Sequence, residues 1–218
     1  MNTNMVFGFL GLAGGILCAV GDILFDLKGK GNKKLGTSGN IDSNWLTMSY
    51  WRFGASILVA FFGDALAGCG IYALAAQLYD KSDILAEIIT VCGYMSVIGG
   101  FFVHTVLCIQ PIIYKKIMET DNFKLADDTL GAYYKAVLPP FFIGYGCIFA
   151  VTICVVVAIL RGFLDVPKWF VLLNPLVFLM IGMGLRKLKP DIFYDLPGIV
   201  MPSLGLGMFG LTDVVSLM

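Results

Sequence analysis

Five ionisable residues stand inside runs of otherwise apolar sequence: Asp22, Arg52, Asp64, His104 and Asp213. Gln110 and Asn174 add uncharged polar side chains in the same setting. An ionisable group in apolar surroundings is costly unless it is protonated, paired or solvated. Such residues therefore face a bundle interior or a water-filled cavity, where they mark binding sites and proton relays. Carboxylates together with an imidazole are the groups of acid–base and proton-transfer chemistry. A zinc centre needs three or four clustered ligands. The single histidine and the six cysteines show no such clustering, so the sequence implies no metal and no cofactor. The cysteines all lie in apolar runs without a CxxC pair and read as small apolar packing residues.

These residues are positioned by a chain that is 58% hydrophobic and only 14% charged, with a mean hydropathy of +0.86. A water-facing domain carries about 25% charged residues, and a bilayer span needs about 20 mainly apolar ones. The pattern predicts an all-α, polytopic transmembrane bundle forming a single domain over 1–218. Six spans are expected, at about 5–25, 51–78, 88–114, 138–160, 169–185 and 197–217. Segment 119–136 reads as an amphipathic stretch lying near the membrane surface. The first residues carry no positive charge and the first apolar run ends in Gly21-Asp22, so no cleaved signal peptide is expected. Net charge is zero, which gives no basis for a nucleic-acid partner.

Lys and Arg sort by connection, with twelve on one side and three on the other. Because basic residues in short loops stay cytoplasmic, both termini are predicted outside. This orientation sets depth. Asp22 comes near the inner end of the first span, with Asp26 one turn later, and Arg52 opens the second, so one reading is an interfacial ion-pair cluster of the three. Asp64 lies about 18 Å beyond Arg52 at the helical rise, close to the midplane. His104 and Gln110 fall towards the inner side, Asn174 and Asp213 in the outer half. Lys28, Lys30, Lys33 and Lys34 alternate with glycines and predict a flexible loop, a topology signal or an attractor of anionic headgroups. Trp45, Trp51 and Trp169 sit at span ends, as an aromatic belt requires.

The 26 glycines concentrate in the apolar runs, including the Gly11/Gly15 step and the Ser203/Gly207 step, which let helix backbones approach closely. Asn174-Pro175 predicts a kink within the fifth span, and Pro111 another near the end of the third. Broken helices at polar positions are a feature of transporters.

The strings Gly21-Asp22-Ile23-Leu24-Phe25-Asp26-Leu27-Lys28-Gly29, Ile41-Asp42-Ser43-Asn44-Trp45 and Tyr50-Trp51-Arg52-Phe53 are similar to a family of uncharacterised bacterial six-helix membrane proteins. The resemblance implies a protein of the bacterial inner membrane and brings no known activity. Three readings follow from the residues. The first is a protein that binds or transports a small or lipidic ligand, with Asp22, Arg52, Asp64 and His104 lining a cavity open to the cytoplasm and Asp64 or His104 coupling protons. The second is an intramembrane enzyme acting on a lipid-like substrate, with His104 and Asp22 or Asp64 as acid and base. The third is a partner subunit without chemistry, burying the Gly11/Gly15 face against another chain. Membrane lipids are the expected surroundings, and a homo-oligomer is compatible with all three.

Overall fold

Long apolar runs broken by short polar connections fold into helices, because a helix satisfies every backbone N–H and C=O without outside help. The computed structural model describes residues 3–189, 193 and 197–218, without the side chains of 197–199. Its described residues form six α-helices: α1 (Thr3–Asp26), α2 (Tyr50–Leu78), α3 (Asp83–Met118), α4 (Phe123–Leu160), α5 (Pro175–Leu188) and α6 (Pro197–Ser216). Two short 3-10 turns (Ser43–Leu46 and Lys168–Leu172) and two two-residue strands, β1 (Lys34–Leu35) and β2 (Ile41–Asp42), complete the described elements. Helices α1 to α4 are each long and apolar enough to cross a membrane.

Helix α1 is the hub, packed along α2 on one flank and antiparallel to α6 on the other. Glycines make this possible. A Cβ built on Gly70 of α2 would stand 2.9 Å from the Cα of Gly11 and 3.0 Å from that of Gly210, so three backbones meet where no side chain fits. Gly15 is likewise pressed against Gly207. The Gly11/Gly15 face, expected to await another chain, is therefore covered by this chain's own α2 and α6. Helix α3 packs on α2 and α4, α5 packs on α6, and α4 touches α5 only sparingly.

Two apolar clusters mark the ends. At the end holding the α2–α3 connection, Leu74, Leu78, Ala86, Ile89, Ala158 and Phe209 are buried together. At the opposite, basic end, Phe25, Ile41, Trp45, Phe53, Tyr114 and Leu130 form the other.

Four expectations need correction. Segment 119–136 is not a separate surface stretch. Residues 123–136 are the first turns of α4, which runs straight through Pro139 and Pro140, since Ala126 and Leu130 are pinned by burial at the basic end. The basic segment after α1 is not a flexible loop: β1 and β2 pair antiparallel, with Lys34 opposite Asp42. Buried Asp42 draws in Lys28 at 3.4 Å, Lys34 at 3.0 Å and the Asn32 amide at 2.6 Å. Trp45 is not a belt residue but a buried one, edge-on to Tyr114 at 6.0 Å, whereas Trp51 and Trp169 are exposed. Asn174-Pro175 does not kink a helix but starts one. Asn174 Oδ1 accepts from the backbone N–H groups of Leu176 and Val177, both at 3.0 Å, and Pro175 occupies the first turn, where its missing N–H costs nothing. Pro111 lies within α3, which continues to Met118.

The glycine contact makes a direct prediction. Gly70→Val forces backbones apart and lowers stability by about 1–3 kcal/mol or more, read as a fall in thermal unfolding midpoint in detergent. Gly54 has nothing near its Cβ position, so Gly54→Ala leaves the midpoint unchanged or raises stability by up to about 1 kcal/mol.

Candidate functional site

Asp22, Asp64 and His104 come from three helices and face one cavity of about 340 Å³, to which all six helices contribute. Asp64 is fourteen residues from either end of α2, about 21 Å along the axis each way, and is only 8% exposed. The glycine contacts of α1 bring Asp22 and Cys18 to the same wall. Helix α3 presents His104 and also Gly100, which keeps the space next to Asp64 open: a Cβ on Gly100 would stand 3.2 Å from Asp64 Oδ1. Phe141, Gly144 and Tyr145 of α4 close the opposite side. Because Asn174 starts α5 at the level of Gly205, Leu176 and Leu179 reach the cavity from the fifth helix.

The hydrogen bonds fix where protons lie. Ser56 Oγ donates to the Gly21 carbonyl at 2.7 Å, so its one proton is committed. At its 2.8 Å contact with His104 Nε2 the imidazole must then be the donor. The Cys108 thiol donates to the same oxygen at 3.4 Å. With Nε2 protonated, Nδ1 faces Asp22 Oδ1 at 3.4 Å either as a bare nitrogen opposite a carboxylic acid or as N–H⁺ opposite a carboxylate. Both arrangements share one proton and are neutral as a pair. Asp22 Oδ2 is hydrogen-bonded to Ser203 Oγ at 2.5 Å. The order Ser56–His104–Asp22 has the outline of a nucleophilic triad. Ser56 is fully buried, however, and its proton points away from the imidazole, so it is a brace for His104 and not a nucleophile.

Asp64 is treated differently. Its Oδ1 accepts a long contact from the Cys18 thiol at 3.6 Å. Among the described residues no Lys, Arg or His lies within ion-pair distance of it.

The remaining candidates are elsewhere. Arg52 joins neither Asp22 nor Asp26, which dissolves the expected three-residue cluster. Its guanidinium donates to the carbonyls of Ile23, Leu24 and Leu27 at 3.4, 3.0 and 2.9 Å, capping the end of α1, while Asp26 pairs with Lys28. Gln110 is buried away from the cavity with its amide nitrogen unpartnered among the described residues. Asn174 is spent on capping α5. Asp213 is fully buried, with Oδ1 accepting from Gln77 Nε2 at 2.5 Å and Oδ2 without a partner among the described residues.

Ser56, Ser203, Cys18 and Gln77 were missed by sequence reasoning. Small polar residues and thiols sit in apolar helices for many reasons, and their partners here lie 35 to 181 residues away in the chain. Ser56 is the critical one. Ser56→Ala strands the His104 Nε2–H and removes a second donor from the Gly21 carbonyl, and lowers stability by about 1–3 kcal/mol, measurable as a reduced unfolding midpoint in detergent.

Comparison with known proteins adds a family and no activity. No curated protein and no solved structure matches the chain. One family model matches it over residues 1–218. With apolar helices of membrane-spanning length and that match along its whole length, the chain belongs to the family of unknown function DUF6796.

Proposed function

We propose that this protein is a six-span integral membrane protein of the bacterial inner membrane, a single domain with both termini outside. It binds or transports a small or lipidic ligand in the cavity among its helices, and Asp64 carries the exchangeable proton. The observation that carries this reading is the convergence of Asp22, Asp64 and His104 on one otherwise mainly apolar cavity of about 340 Å³. A few convergent polar groups in an apolar pocket are the ordinary composition of a ligand site. Among the described residues Asp64 has no cationic partner within ion-pair distance, and its surrounding opposes charge, so when no ligand is present it holds a proton.

The six-span reading draws on the distribution of basic residues. It requires the fifth crossing to be a broken one. Helix α5 has 14 residues, about 21 Å, so the 3-10 turn Lys168–Leu172 and the Asn174 cap supply the remaining length.

An acid–base enzyme acting on a lipid-like substrate is the second reading, favoured by the Asp22–His104 contact at the cavity wall. Against it, both ring nitrogens of His104 are engaged, one with Asp22 and one with Ser56.

Two experiments test the first reading. In liposomes with an internal pH indicator, the wild-type protein dissipates an imposed proton gradient and Asp64→Asn loses most of that flux. Equal flux from the two proteins would remove Asp64 from the mechanism. For topology, an impermeant maleimide applied to intact cells labels a cysteine placed at Ser82 and does not label one placed at Ser38. Labelling in the reverse order would invert the assignment.

A further inference from the structure

We propose that the cavity's ligand is a lipophilic amine, an apolar body with one protonated nitrogen that pairs with Asp64. The proposal rests on the reading of this cavity as a ligand site and names the chemistry the site selects.

The ionisable groups lining the cavity are Asp22 and Cys18 from α1, Asp64 from α2, His104 from α3 and Tyr145 from α4; α5 and α6 contribute apolar side chains and Ser203. Among the described residues no lysine or arginine lines the cavity. The Asp22–His104 pair is neutral in either of its proton arrangements, because Ser56 fixes the Nε2 proton and leaves one proton to share at Nδ1. Two carboxylates thus face one imidazole, and the imidazole is taken. Asp64 is left with a long thiol contact on Oδ1. It is more than nine-tenths buried and forms part of the cavity wall. Three cations of the basic end are occupied there: Arg52 by three carbonyls, Lys28 by Asp26 and Asp42, and Lys115 by the carbonyls of Leu46 and Met48. Asp64 is therefore satisfied by a proton or by a positive charge brought in from outside.

The space beside it suits such a charge. Gly100 keeps bulk away from Asp64, since a Cβ there would stand 3.2 Å from its Oδ1, so a small head can reach the carboxylate. Phe141 and Tyr145 add aromatic rings to the wall, which favours a cation. The remaining wall is apolar and matches a hydrocarbon body. An anionic ligand would find no lysine or arginine among the described lining residues to pair with, and an uncharged one would leave the Asp64 proton in place. When an ammonium enters, Asp64 gives up its proton as the ion pair forms, so one proton is released for each amine bound.

The test is equilibrium binding of radiolabelled decylamine, decanol and decanoate to the purified protein in lipid nanodiscs, with empty discs subtracted. Wild type is compared with Asp64→Asn, Asp64→Glu and the cavity-filling Leu179→Trp, each checked for a monodisperse, helical state. In the wild type, decylammonium binds saturably and about ten-fold or more tighter than decanol, decanoate does not bind, and a pH dye registers proton release. Asp64→Asn brings the amine down to the level of the alcohol and abolishes the release, Asp64→Glu retains both, and Leu179→Trp weakens every probe. Equal binding of amine and alcohol to the wild type, lost in Leu179→Trp, would overturn the amine assignment while leaving the cavity as a lipid site. No saturable binding of any probe would overturn both.

Discussion

The close approach of α1, α2 and α6 at Gly11, Gly70 and Gly210 is the constraint on which the remaining geometry depends. In an apolar solvent helices gain little from hiding apolar surface, and association rests on dispersion contacts between closely fitted backbones. Here the fit sets depth as well as distance. With Gly15 against Gly207 and Gly14 against Ala67, the register of the three helices is fixed, and Asp22 meets Ser203 while Cys18 meets Asp64. The polar contacts are placed by the glycine contacts and not the reverse. A thiol at 3.6 Å is too weak an acceptor–donor pair to hold two helices.

The cavity exists because the other three helices cannot follow this fit. Helix α3 is held off by Phe25 and by the His104 side chain, which stand edge to face at 6.1 Å. Helix α4 meets α3 where Gly99 and Gly144 approach each other, yet it touches α5 only sparingly. Helix α5 begins late, at Asn174, because the chain from Gly162 to Leu173 is not α-helical. The result is a space bordered by α4 and α5 on the side away from the hub. Tyr145, which lines the cavity, is 42% exposed, so this flank of the cavity is not tightly closed.

The three residues that share the cavity were legible in the sequence because each is an energetic anomaly: a carboxylate or imidazole in a run that otherwise avoids charge. Their grouping was not legible, since the depth argument placed Asp22 and Arg52 together, and only the backbone shows that Arg52 turns to carbonyls. The supporting residues were invisible for a different reason. A serine such as Ser56 or Ser203 costs little in a helix whatever it does, so its presence carries no signal until its partner is in view. Proline misled at one place. Pro175 looks the same whether it bends a helix or begins one, and burial on both sides carries α4 through Pro139-Pro140.

That last feature has a mechanical side. Helix α4 is anchored at one end, where Asp127 accepts from the Thr37 backbone N–H and hydroxyl and Asn40 donates to the Leu130 carbonyl. Near its other end Val151, Val155 and Ala158 are locked in the apolar cluster. Between the two anchors, Pro139 and Pro140 lack the N–H groups that would tie them to the preceding turn, and Phe141, the next residue, is cavity wall. A rod clamped at both ends and thinned at one point flexes at that point. The flexible point of α4 therefore lies beside a residue that a guest molecule in the cavity would touch.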